Sequence, residues 1–130
     1  MLTAFEALYA AACVERDAAA AAALFLDEPG ISFSGSDLEE HATTRAGLLK
    51  ILTLVAASPG SLRFHWSERQ VHITGDTAWV NAAGSVAISG PDGQRTIPYR
   101  VTAVLLRRDG RWLWHTHAGS SPDGDQQTRR

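Results

Sequence analysis

The hydrophobic period of this chain changes once, at the SPG of 58–60. Before it, apolar residues recur three and four positions apart: Phe5, Leu8, Tyr9, Ala12 and Cys13 in the first stretch, Leu48, Leu52 and Val55 in a later one. That spacing builds one face of a helix. After it, apolar and polar residues alternate through four runs near 62–74, 77–89, 94–108 and 111–119, separated by Gly75-Asp76, GPDG at 90–93 and Asp109-Gly110. Period two with tight-turn residues between the runs predicts an antiparallel meander. Helices first and long strands afterwards predict an α+β domain, with the helices on one face of a curved sheet.

Local signals set the remaining elements. Thr3 with Glu6 has the pattern of a capping box, and Asp17 is placed to cap a second short helix running through alanines to Leu24 and Phe25. ISFS at 31–34 reads as a short strand, followed by a polar loop, GSDLEEHATT, whose threonines suit the start of a third helix. We expect one domain over residues 1–120 and a polar tail, SPDGDQQTRR, that frays.

Composition excludes several classes of function. A net charge of −2 offers no basic field for a nucleic-acid backbone. Cys13 is the lone cysteine, so an intrachain disulfide cannot form, and we expect it to act as a small buried hydrophobe in a cytoplasmic protein. The alanine-rich opening is interrupted by Glu6, Glu15, Arg16 and Asp17, and no run reaches the roughly 18 apolar residues of a membrane span.

The Asp109-Gly110 turn, taken without irregularity, pairs Arg108 with Arg111, Leu106 with Leu113, Val104 with His115 and Thr102 with His117. One face of the hairpin then shows Arg100, Thr102, Val104, Leu106, Leu113, His115 and His117; the other shows Val101, Ala103, Leu105, Trp112, Trp114 and Thr116. Both faces are largely apolar, which predicts that one packs on the helices and the other on a second subunit. From Gly75-Asp76, the same logic groups Trp66, Glu68, Gln70, His72, Trp79 and Asn81, unless a bulge in the long strand swaps part of the set.

Four strings, FEALYAAACVERDAAAAAALF, FSGSDLEEH, GDTAWV and RRDGRWLWHTHAGSSP, taken in order resemble the SnoaL-like branch of the nuclear-transport-factor-2-like, or cystatin-like cone, superfamily. The resemblance spans nearly the whole chain and implies a cone-shaped, mixed or antiparallel sheet wrapped on N-terminal helices. The family includes ketosteroid isomerases, polyketide cyclases, dehydratases, epoxide hydrolases and non-enzymatic modules, so the fold does not settle function. It implies that Tyr9 occupies the place of a helix-borne tyrosine that donates to a substrate oxyanion. The carboxylate base that the isomerases hold on the first strand has no match in ISFS, whereas His115 and His117 match the pocket histidines of the cyclases.

The expected function is therefore binding of a small hydrophobic organic molecule. It extends to lyase, isomerase or cyclase chemistry on a carbonyl compound, with His117, His115, Tyr9 and Arg100 as catalytic candidates. The expected ligand-lining set is Phe33, Trp66, Trp79, Asn81, Thr102 and Leu113. The alternative is a non-catalytic ligand-binding or interaction module whose histidines bond to each other, to Thr102 or to trapped water. No cofactor is expected. No metal is expected either, because the His-x-His pair needs a third ligand that neither His65 nor His72 is bound to supply. Trp112 and Trp114 are expected in the core or a homodimer interface on the outer sheet face. The acidic loop of Asp37, Glu39 and Glu40 is expected to be solvated.

Overall fold

A computed structural model describes residues 1–37 and 39–122. Helix α1 (Leu2–Tyr9) runs into a π-helical turn (Ala10–Val14), then come α2 (Ala18–Ala22), β1 (Ser32–Ser34), β2 (His41–Ala42) and α3 (Arg45–Ala56). The four long strands β3 (Ser61–Thr74), β4 (Thr77–Gly90), β5 (Gly93–Arg108) and β6 (Arg111–Ser120) follow. All six strands form one sheet in the order β2-β1-β6-β5-β4-β3, antiparallel except that β1 lies parallel to β6. This is the expected α+β architecture, with helices against one face of a curved, unclosed sheet. None of the described helices is long and apolar enough to cross a membrane.

Capping follows the sequence at two of three helices. Asp17 accepts from Ala20 N–H at 3.0 Å, and Thr44 accepts from Gly47 N–H at 3.1 Å. The Thr3–Glu6 box does not form: α1 is already helical at Leu2 with Met1 at its cap, and the Glu6 carboxylate pairs with Arg69 instead. Five residues of α2 are too few to hold a helix unaided. Arg45 ties down its end by donating to the carbonyls of Ala22, Phe25 and Leu26 at 3.1–3.3 Å. The chain beyond it does not continue as helix to Phe25, because Leu24 and Leu26 exchange backbone hydrogen bonds with Trp114 of β6.

The core is an aromatic column on the inner sheet face. Trp114 is fully buried, stacked on Phe5 and Phe25 with centroids 5.4 and 5.8 Å away, and its indole N–H donates to the Ala4 carbonyl at 3.1 Å. A buried indole N–H must find such a partner. Trp112 lies nearer the rim, with the Arg107 guanidinium 5.2 Å from its ring.

Two bulges break the alternation and decide what faces inward. In β6, Leu105 pairs with Trp114 but Val104 pairs with Thr116, leaving His115 as the extra residue. The expected pairs Val104–His115 and Thr102–His117 are thereby replaced by Val104–Thr116 and Thr102–Ala118, and His117 moves to the inner face opposite Ala103. In β3, Ser67 is the extra residue between Trp66, opposite Gly84, and Glu68, opposite Ala83. Trp66 accordingly leaves the outer set of Glu68, Gln70, His72, Trp79 and Asn81 and is buried inside. One added residue shifts the side-chain phase by one, which with a period of two reverses the face.

Candidate functional site

His117 is 2% exposed, its ring stacked on Phe33 with centroids 4.3 Å apart. Its Nδ1 lies 3.0 Å from the Ser34 carbonyl oxygen and its Nε2 3.1 Å from the Tyr9 hydroxyl. A carbonyl can only accept, so Nδ1 carries the proton and donates to Ser34. Burial pushes the imidazolium pKa down to about 4, and the backbone hydrogen bonds to Ser34 and His117 only partly oppose it. The ring is therefore neutral at pH 7, Nε2 is a lone pair, and Tyr9 donates its O–H to it. Tyr9 stays a phenol, because burial first and the neighbouring Tyr99 and Cys13 second hold its pKa well above the ordinary value.

These two residues sit at the polar end of a cavity of about 460 Å³ between the helices and the inner sheet face. Leu8, Ile51, Leu52, Phe64, Val86 and Ile97 form apolar walls, and Leu54, 67% exposed, marks where the cavity reaches the surface. An apolar space with a few convergent polar groups is the general form of a small-molecule site.

Tyr99 and Glu40 are among the further polar residues that line it. The Tyr99 side chain is 8% exposed, and its hydroxyl has no hydrogen-bond partner among the described residues. Burial, with the charges of Glu40, Cys13 and Asp37 behind it, raises its pKa. Glu40 folds back from the loop after β1, which closes on itself through Gly35 N–H to Glu40 carbonyl at 2.8 Å and Glu40 N–H to Asp37 carbonyl at 3.0 Å. Its Oε1 accepts from Asp37 N–H at 3.1 Å. Burial raises the Glu40 pKa despite that bond, with the Asp37 carboxylate adding to the rise.

Two glycines make this arrangement possible. A Cβ on Gly35 would stand 2.8 Å from the Glu40 carboxyl carbon, and one on Gly119 would run into the Tyr99 hydroxyl and stand 3.0 Å from His117 Cε1. Neither position tolerates a side chain without moving a cavity group.

Of the residues singled out from sequence, Tyr9, His117 and Phe33 come together in the cavity. Trp66 stands behind it, its ring 5.3 Å from Tyr9 and 5.6 Å from Phe64. His115 is on the bulge, with Nδ1 2.6 Å from Thr116 Oγ1 and its ring beside Gly30. Arg100, Asn81 and Thr102 lie in a shallow groove on the opposite sheet face, where Thr102 Oγ1 donates to Asn81 Oδ1 at 2.8 Å. Trp79 is on that face too, stacked on His72 at 4.4 Å, and Leu113 faces the same way beside Leu106. The bulge is the reason: it turns His117 away from the face it was expected to share with Arg100. Among the described residues no three His, Cys, Asp or Glu side chains converge as a metal site.

Sequence reasoning missed Tyr99 and Glu40. Tyr99 is in phase with Val101, Ala103 and Leu105, so its inward orientation was readable once His117 is placed on that face. For Glu40, which was expected in solvent, the only cue is the side-chain-free Gly35 that gives it room.

The SnoaL-like domain family matches residues 2–124. The chain belongs to the SnoaL-like family. Solved structures carry the same fold. A protein from Streptomyces avermitilis, provisionally named a dehydratase of the nuclear-transport-factor-2-like family, superposes with a TM-score of 0.84 at 21% identity, covering 94% of each chain. A provisionally named scytalone dehydratase from Novosphingobium aromaticivorans gives 0.74 at 16% identity, covering 94% of this chain and 84% of its own. A Catenulispora acidiphila protein in complex with S-DNPA gives 0.77 at 18% identity, covering 98% and 92%. No curated protein matches in sequence. At these identities the likeness extends to the fold of this SnoaL-like domain and no further.

Proposed function

We propose that this SnoaL-like domain is a cofactor-independent lyase, isomerase or cyclase that moves a proton on a hydrophobic carbonyl compound. The observation that carries the reading is the Tyr9–His117 hydrogen bond at the polar end of an apolar cavity. A substrate carbonyl oxygen placed against Tyr9 takes over the phenolic hydrogen bond, which frees His117 Nε2. That nitrogen then accepts the proton from the carbon beside the carbonyl, while Tyr9 stabilises the enolate oxygen and Ser34 stays bonded to Nδ1. Returning the proton to a leaving hydroxyl gives water and a lyase; returning it to another carbon gives an isomerase; attack of the enolate on a second carbonyl of the same molecule, whose new alkoxide takes the proton back from His117, gives a cyclase. Two structural neighbours named as dehydratases support the first outcome.

The test is a panel of aryl β-hydroxy ketones, monitored by the absorbance of the conjugated enone formed on loss of water. Tyr9→Phe and His117→Gln should each slow turnover by about 10²–10⁴-fold. Full activity in both variants would refute the assignment.

One observation favours a second reading, a non-catalytic binding module: an imidazole with a pKa of about 4 is a weak base until the ligand strengthens it. Tight binding of carbonyl compounds with no turnover across the panel would select it. We also propose a cytoplasmic homodimer joined through the outer sheet face, where Val104, Leu106, Leu113 and Trp79 gather apolar surface.

A further inference from the structure

We propose that Tyr99 and Glu40 form a head-group subsite in the cavity that prefers a cationic group to a neutral one and a neutral one to a carboxylate. The inference rests on reading the cavity as a small-molecule site, and goes on to name the charge class of its ligand.

The first observation is the sign of the charges. Asp37, Glu39 and Glu40 line the cavity, and among the described residues neither arginine nor lysine does. The one basic residue on its wall among the described residues, His117, is neutral at pH 7 and already bonded at both nitrogens. Arg16 is a nearby cation that acts on Cys13, but its guanidinium is committed to the carbonyls of Ser58 and Gly60. A carboxylate entering this space meets like charge in a setting of reduced solvation, without a cationic partner to offset either cost.

The second observation, independent of charge, is the Tyr99 hydroxyl. It sits on a side chain more than nine-tenths buried, lines the cavity and has no partner among the described residues. The hydroxyl is not sealed in the core but opens on the cavity, so it is free to donate to or accept from a ligand there. Glu40 is its electrostatic neighbour. Its Oε1 is held by the Asp37 amide, which fixes the carboxyl's orientation, and a carboxylate keeps further lone pairs for a donor on the ligand. The rings of Phe33, Phe64 and Tyr99 line the same space, and aromatic faces attract cations.

The chemistry of the ligand follows from polar groups gathered at one end of an apolar cavity, where the Tyr99 hydroxyl lies close to His117 beside Gly119. Its apolar body fills the aliphatic and aromatic walls, a hydrogen-bond acceptor reaches Tyr9, and a donor such as an ammonium or hydroxyl reaches Glu40 and Tyr99.

The experiment measures binding of three probes with one body, naphthyl-ethylamine, naphthyl-ethanol and naphthyl-acetate, to the full chain near pH 7 by calorimetry. The amine should bind at least about 10-fold more tightly than the acetate, with the alcohol between them, as expected when one charge-assisted hydrogen bond is made or lost. Glu40→Gln should compress the amine–acetate ratio to about 3-fold or less, and Tyr99→Phe should weaken amine and alcohol alike by about 5-fold. The wild-type ranking needs no variant, so a misfolded substitution does not remove the test. Acetate binding as tightly as the alcohol would overturn the subsite while leaving the cavity and its proton chemistry standing. Binding of none of the three would overturn both.

Discussion

Tyr9 donates its phenolic proton to His117 Nε2 across 3.1 Å, joining the end of α1 to the far end of β6. The direction of that bond follows from the other side of the ring, where Ser34 can only accept. The Ser34 carbonyl thus fixes the tautomer of the strand-borne acceptor that meets the helix-borne donor.

The couple makes stability depend on pH. The His117 imidazole has a pKa of about 4 in the folded chain against 6.5 unfolded, so between these values the unfolded chain binds a proton that the folded chain refuses. Stability contributed by His117 is full above about 6.5, falls as pH drops towards 4, and is lost below it, an effect of about 3 kcal/mol. Denaturant unfolding of wild type and His117→Gln across this range isolates it, because the carboxylates titrate in both proteins. The variant's curve should be flatter; parallel curves would contradict a neutral buried imidazole.

Tyr9→Phe leaves Nε2 buried and unpaired. The expected cost is about 1–3 kcal/mol in urea unfolding.

Gly119→Ala drives a Cβ into the Tyr99 hydroxyl. Displacement of Tyr99 should cost about 1–3 kcal/mol and weaken binding of naphthyl-ethanol. Combined with Tyr99→Phe, the two losses in affinity should not add, because both act on one hydroxyl.

The β6 bulge separates the role of the backbone from that of the imidazole at residue 115. His115→Ala keeps the extra residue and should leave turnover and the fold unchanged, with a stability change within about 1 kcal/mol. Deleting His115 removes the extra residue, so Thr116 follows Trp114 directly opposite Val104 while His117 stays opposite Ala103 on the inner face, and the Tyr9–His117 hydrogen bond should survive. A deletion variant whose His117 imidazole no longer responds to Tyr9→Phe would contradict that register.

Much of this architecture was legible because it rests on local signals. The two-residue turns at Gly75-Asp76 and Asp109-Gly110 and the single change of period placed the four long strands to within a residue, and Asp17 and Thr44 announced their helices. The bulges were not legible. Trp-His-Thr-His alternates without a fault, and nothing local records that Val104 will skip His115 to meet Thr116. That choice is made by distant partners: Trp114 must fill the space between Phe5 and Phe25 while His117 must reach Tyr9 and Ser34. Glu40 was hidden for a related reason, since its partial burial depends on a loop closed by backbone hydrogen bonds that hydrophobic pattern does not encode. The expectation for the tail over 123–130 lies outside the described residues.

The outer sheet face carries its own prediction. Sedimentation should give a dimer, and Val104→Arg, which puts a charge among Leu106, Leu113 and Trp79, should give a monomer with the same circular dichroism.

The most direct measurement is nitrogen–proton correlation NMR of the imidazoles in wild type and Tyr9→Phe, across the range from neutral to mildly acidic pH. His117 should be the neutral tautomer protonated at Nδ1, should not titrate until pH approaches 4, and should show an Nε2 shift that moves when Tyr9 loses its hydroxyl or naphthyl-ethanol is added. A His117 protonated at Nε2, or titrating near 6.5 and indifferent to Tyr9→Phe, would contradict the couple on which the proposed chemistry rests.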